Sequence, residues 1–206
     1  LVYSVGKTEK IVMELEALLE QRRLIRAIGF DDAPFIRKSG EPVSIAGVVC
    51  AGTRFEGMLW GQIEPDGWNA TETIANILLN SKFLPQAHIV LLDGISLGGF
   101  NVVDLPALSG EIDRPCVSVM RRYPKLEKVE YALRRLPEPE RRLELIARAG
   151  EIYQSPPFVF QVQGAAPDTT ARVLARLTDR GHVPEALRLA HLIASAVING
   201  ESGRQA

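Results

Sequence analysis

Residues 89–92 read Ile-Val-Leu-Leu, an unbroken apolar run that closes on Asp93 and Gly94. A run this short, apolar at every position and bounded by turn residues, is the pattern of a strand covered on both faces, which is characteristic of parallel strands in α/β sheets. "RPCVSVM" has the same pattern. Before them stand three segments with β-prone spacing, "RLIRAIGF", "EPVSIAGVVCAGT" and "RFEGMLWGQIEPDG", the last two joined at Gly52-Thr53. Consecutive strands with such tight joints predict an antiparallel meander.

Between and after these strands the apolar period shifts to that of helices. "TEKIVMELEALLEQ" carries Ile11, Leu15, Leu18 and Leu19 on one face; "TETIANILLNSKF" carries Ile74, Ile77, Leu78 and Phe83. Further helices are predicted in "FNVVDLPALS", from Lys125 to Arg135, in "EPERRLELIARAG", in "PDTTARVLARLTDRG" and in "PEALRLAHLIASAVING", with "FVFQVQG" as one more strand. The order predicts an α/β fold with a mixed sheet. Residues 1–23 read as a leading amphipathic helix and 24–206 as one domain.

Composition bounds the function classes. With 206 residues and a net charge of −1, any nucleic-acid contact has to come from a local basic patch. No run reaches the ~18 apolar residues of a membrane span, and no signal-peptide layout opens the chain. Cys50 and Cys116 sit in apolar, strand-like runs without metal-ligand spacing, as reduced core thiols do, so a cytoplasmic protein is expected.

Candidate chemistry gathers where strands end. Ligands of open α/β sheets bind beyond the carboxyl ends of strands, the position of Asp93, although an acid followed by glycine also suits a simple turn. Asp31 and Asp32 end the first strand in "IGFDDAPF". Neighbouring strand residues point to opposite faces, so one of them faces a given site, and Asp31 is the choice. If the first and fourth strands pair, Asp31 and Asp93 lie about 5 Å apart, a spacing suited to carboxylates sharing a divalent cation. Glu72 stands three residues after Asn69, the spacing of a helix cap and its reciprocal partner, and Asp66 ends the preceding strand. Arg121, Arg122 and Lys125 begin a basic cluster that includes Lys128, Arg134 and Arg135. His191 shares a helical face with Leu187, Ala194 and Ile198.

Two apparent phosphate motifs fail on spacing. "SVGKTEK" has Leu1 where a phosphate-binding loop needs its first glycine, and Gly94, Gly98 and Gly99 do not form G-x-G-x-x-G. An NADP-binding enzyme, with Arg121 and Arg122 on the 2′-phosphate, stays as a distant alternative.

The phrases "IGFDDAPF", "DGWNATETI", "LLDGISLGGFNVVD", "VSVMRRYP" and "PEALRLAHLIASAVINGES" resemble a largely archaeal group, domain-of-unknown-function family 99, over about residues 24–204. That family resembles endonuclease V. The resemblance implies a ribonuclease H-like mixed five-stranded sheet, three antiparallel strands followed by parallel ones, flanked by helices with additional C-terminal helices. It also implies metal-dependent phosphodiester hydrolysis of DNA or RNA. By this resemblance Asp31, Asp93 and Glu72 hold Mg²⁺ or Mn²⁺, Arg121 takes the place of a lysine after the fifth strand, and His191 in "RLAH" orients a water or ligand. Nucleic acid is then the partner, held by Arg121, Arg122 and Lys125. The alternative is a non-catalytic nucleic-acid or protein-binding module that keeps the fold. The sequence departs from endonuclease V in having "MLWGQIEPDGWNATE" where a tyrosine-proline wedge phrase stands.

Overall fold

The computed structural model describes residues 14–37 and 40–202. Among the described residues, seven strands form one sheet in the order β3-β2-β1-β4-β7-β9-β8. They are β1 (Arg26–Asp32), β2 (Val43–Ala51), β3 (Arg54–Ile63), β4 (Ile89–Asp93), β7 (Cys116–Met120), β8 (Tyr153–Ser155) and β9 (Phe158–Gln163). A separate short hairpin is made by β5 (Ser96–Leu97) and β6 (Asn101–Val102). β1, β2 and β3 are antiparallel neighbours, while β1 pairs parallel with β4 and β4 with β7. These five strands give the arrangement expected, three antiparallel strands followed by two parallel ones. The sheet is larger than expected, because β9 adds antiparallel to β7 and β8 to β9.

Helices cover both faces. One layer holds α1, helical over residues 14–20, with α6 (Pro167–Arg176) and α7 (Glu185–Asn199); Leu15, Leu18, Val173, Leu174, Leu187, Ala190 and Ala194 share a core with Ala27, Ala46 and Leu91 of the sheet. Ile11, also expected on α1, lies outside the described residues. The other layer holds α2 (Ala70–Leu79) and α3 (Leu105–Ile112), whose Ile74, Leu78, Leu105 and Leu108 pack on Ile28, Phe30, Val90 and Leu92. α4 (Leu126–Leu133) and α5 (Pro139–Arg148) follow β7. No helix among the described residues is long and apolar enough to cross a membrane.

The strand alternation decides where the acids point. Ala27 belongs to the α7 side and Ile28 and Phe30 to the α2 side, so Asp31 falls on the α7 side and Asp32 on the other. In β4, Ile89 and Leu91 place Asp93 on the same side as Asp31. The β1–β4 ladder runs through Phe30 opposite Leu92, so its next step sets Asp31 beside Asp93.

One predicted helix is shorter than its sequence pattern. In "FNVVDLPALS" the chain first completes the β5–β6 hairpin around Gly98 and Gly99, at φ 58° and 90°. α3 then begins at Leu105, with the Asp104 carboxylate accepting from the Ala107 N–H at 3.2 Å and a proline in its first turn. The glycines therefore turn one strand into another and open no helix, which removes the geometry of a dinucleotide loop.

Candidate metal centre and basic groove

One oxygen of Asp31, one of Asp93 and one ring nitrogen of His191 all lie within 4.8 Å of one another. β1 and β4 bring the carboxylates together at their carboxyl ends, and α7 lays His191 over them from the helical layer. Close approach of α7 depends on Gly29, where a Cβ would stand 2.7 Å from the Ala186 carbonyl carbon and the Leu187 nitrogen.

Asp31 is buried, and both its oxygens are engaged. Oδ1 accepts from the Asp32 N–H at 2.8 Å and Oδ2 lies 2.8 Å from His191 Nδ1. Burial, reinforced by the charges of Asp93 and Asp32, pushes the Asp31 carboxyl up to about 7 against the opposing His191 hydrogen bond. The same hydrogen bond raises the His191 imidazole above its ordinary value. Asp32 is raised as well, chiefly by burial; its Oδ2 accepts from the Gly98 N–H at 2.7 Å, tying the end of β1 to the glycine turn. Asp31 and Asp93, with the His191 ring beside them, form a site whose charge a cation would neutralise. Two carboxylates and one imidazole are a donor set suited to a divalent cation.

A groove of about 560 Å³ opens beside this cluster, lined by Asp93 and Gly94 at its inner end and by Arg121, Arg122, Lys125 and Lys128 along it. The Arg121 guanidinium sits 3.3 Å from the Asp93 carboxylate. Four cations stand against one carboxylate in this lining, so a chain of net charge −1 carries a locally positive surface here.

Glu72 is not brought to the cluster. It is exposed on the first turn of α2 and lines a different cavity with Trp68, Asp104, Arg141 and Arg148. The helix that carries it covers the face of the sheet opposite α7. Nor do Asn69 and Glu72 form a capping pair. Asn69 stands at the N-cap of α2, but its Oδ1 accepts from the Glu64 N–H and from Asn101 Nδ2, while Asn101 Oδ1 accepts from the Ala70 N–H. Asp66 is likewise held locally, with Oδ1 accepting from the Phe100 N–H and Oδ2 paired with Arg37 at 3.2 Å.

Arg142 has a role that the sequence reading missed. It is 1% exposed, donates to the carbonyl oxygens of Phe100, Asp66 and Pro137, and lies 4.0 Å from the centre of the Trp68 ring. One guanidinium thus fastens the β3–α2 connection, the glycine turn and the entry to α5. Its spacing in "PERRLELIAR" matches that of solvated helix arginines, so no local signal distinguishes it.

Comparisons with known proteins agree with the fold. The family model described as Endonuclease dU matches residues 23–198. A UPF0215 protein of Methanosarcina barkeri is 41% identical over 183 residues, covering 86% of this chain and 93% of its own length. One from Pyrococcus furiosus is 39% identical over 189 residues, covering 89% and 97%. A crystal structure of a protein of unknown function from Archaeoglobus fulgidus superposes with a TM-score of 0.80 at 35% identity, covering 85% of this chain and 99% of that one. Endonuclease V from Bacillus subtilis shares the fold, with a TM-score of 0.57 at 10% identity, covering 93% and 92%. The chain belongs to the archaeal Endonuclease dU family, which is related to endonuclease V through a ribonuclease H-like fold.

Proposed function

We propose that the protein is a divalent-metal-dependent endonuclease acting on DNA, with deoxyuridine, as the family description suggests, marking its substrate. The observation that carries this reading is the convergence of Asp31, Asp93 and His191 at the head of the basic groove. An endonuclease V of Ciona intestinalis with the same fold, at a TM-score of 0.52 and 12% identity, has been crystallised with inosine-containing DNA, which supports a nucleic-acid ligand for the groove.

Asp31 and Asp93 hold the metal, with His191 fixing the Asp31 carboxylate and completing the donor set. Mg²⁺ or Mn²⁺ held there would supply an activated water and neutralise charge on the phosphate. Arg121, beside Asp93, grips phosphate oxygens through its planar guanidinium. Arg122 and Lys125 hold the flanking backbone.

A second reading, a binding module without catalysis, draws on the Arg121–Asp93 ion pair, which sets a protein cation against a ligand oxygen. Incubation of the full chain with a deoxyuridine-containing oligodeoxynucleotide separates the two. Cleavage with Mn²⁺, none with chelator, and a drop of roughly two orders of magnitude or more in Asp93→Asn are expected. Binding without cleavage under all these conditions assigns the protein to the second reading.

A further inference from the structure

Between β7 and α4 the chain passes through Arg121, Arg122, Tyr123, Pro124 and Lys125, and the tyrosine has no part in the chemistry above. Tyr123 is 47% exposed and Leu126, which opens α4, is 50% exposed. With Pro124 they line a shallow depression that shares Pro124, Lys125 and Lys128 with the basic groove. The two surfaces are continuous: cations lead away from Asp93, and an apolar shelf lies alongside them. Among the described residues no ring or cation packs on Tyr123, whereas the other exposed tyrosine of this region, Tyr131, is covered by Arg135 at 4.4 Å.

A row of fixed cations beside an open aromatic face is the surface that binds a polynucleotide through phosphates and a base together. The aromatic part of that surface engages only a base whose own face is free. In a duplex each base is stacked on its neighbours, so Tyr123 gains a partner only where the strand is unpaired. An acidic polypeptide would satisfy the cations but offers no regular planar group to the tyrosine.

We propose that Tyr123 is the stacking platform for an unpaired base next to the cleaved phosphate, which makes single-stranded or locally opened DNA the substrate class. The proposal rests on the nuclease reading of the same groove. Tyr123 acts here as a binding and specificity residue and takes no part in bond breaking.

The test uses the full chain, with chelator present to prevent cleavage, and a short deoxyuridine-containing oligodeoxynucleotide carrying 2-aminopurine at successive positions. The wild type is expected to bind the single strand more tightly than the paired duplex and to quench 2-aminopurine at one position beside the deoxyuridine. Tyr123→Ala weakens single-strand binding by roughly 5- to 100-fold and abolishes the quench. Tyr123→Phe keeps both, and Tyr131→Ala behaves as wild type. Unchanged single-strand binding in Tyr123→Ala, or an equal loss on single strand and duplex, overturns the proposal while leaving nuclease activity standing. A wild type that shows the position-specific quench but never cleaves with Mn²⁺ overturns the nuclease reading and leaves the platform in place. A wild type that binds neither DNA overturns both.

Discussion

Asp31 Oδ2 and His191 Nδ1 lie 2.8 Å apart, joining the end of the first strand to the last helix across 160 positions of sequence. Each partner binds its proton more tightly in the folded chain. Asp31 is raised from 3.8 to about 7, chiefly by burial, and His191 is raised by the bond to Asp31. At these two sites the folded metal-free protein therefore binds protons more tightly than the unfolded chain. The stabilising contribution of Asp31 is full below its unfolded value and is lost as pH climbs towards about 7; that of His191 is lost as pH passes its raised value. Denaturant unfolding with chelator should show roughly 1–3 kcal/mol less stability at about pH 8 than at about pH 6, and a smaller difference in Asp31→Asn. Equal pH slopes for the two proteins would contradict this coupling.

Gly29 sets the distance between α7 and the strand that ends in Asp31. A Cβ at this position meets backbone atoms at 2.7 Å, which side-chain rotation cannot relieve. Gly29→Ala should cost about 1–3 kcal/mol and weaken Mn²⁺ binding as His191 moves away from the carboxylates. Calorimetric titration checks the second effect, and unaltered affinity would show that the ligand cluster does not depend on α7 packing.

Arg142 is buried with carbonyl oxygens around it, so its removal leaves several acceptors without a donor. Arg142→Ala should destabilise by about 2–4 kcal/mol and shift the fluorescence of Trp68, whose ring it covers. Arg142→Lys should recover less than half of the loss, because an ammonium lacks the planar fork. Near-normal stability of the lysine variant would show that the charge alone holds these loops.

Arg121 pairs with Asp93, so a divalent cation bound there would compete with it. Arg121→Ala should tighten Mn²⁺ binding while weakening DNA binding, with the slope of log affinity against log salt falling in magnitude by about one. A variant that weakens both would place Arg121 among the supports of the metal centre.

Asp31 and Asp93 were legible in sequence because strand alternation and a parallel ladder are short-range rules, and two apolar runs ending in acids fix which carboxylates meet. The apolar helical face of His191 turns it inward, which suits a core histidine equally well; its place beside the acids was suggested only by the resemblance of "RLAH". Glu72 and the Asn69 cap misled because three-residue spacing describes a helix start in isolation. Here Asn101, 32 residues further on, occupies the Asn69 side chain and caps Ala70 itself. Arg142 was illegible for a similar reason: its acceptors lie 42 and 76 positions away, at Phe100 and Asp66. β8 spans only three residues, too few for a period to show.

The claim that Asp31, Asp93 and His191 form one metal centre is tested most directly by the electron paramagnetic resonance of Mn²⁺ titrated into the wild type, Asp31→Asn, Asp93→Asn and Glu72→Gln. Loss of the free-ion signal to one site is expected in the wild type and in Glu72→Gln, and no such loss in either aspartate variant. Uptake that survives both aspartate substitutions, or that disappears in Glu72→Gln, would contradict it.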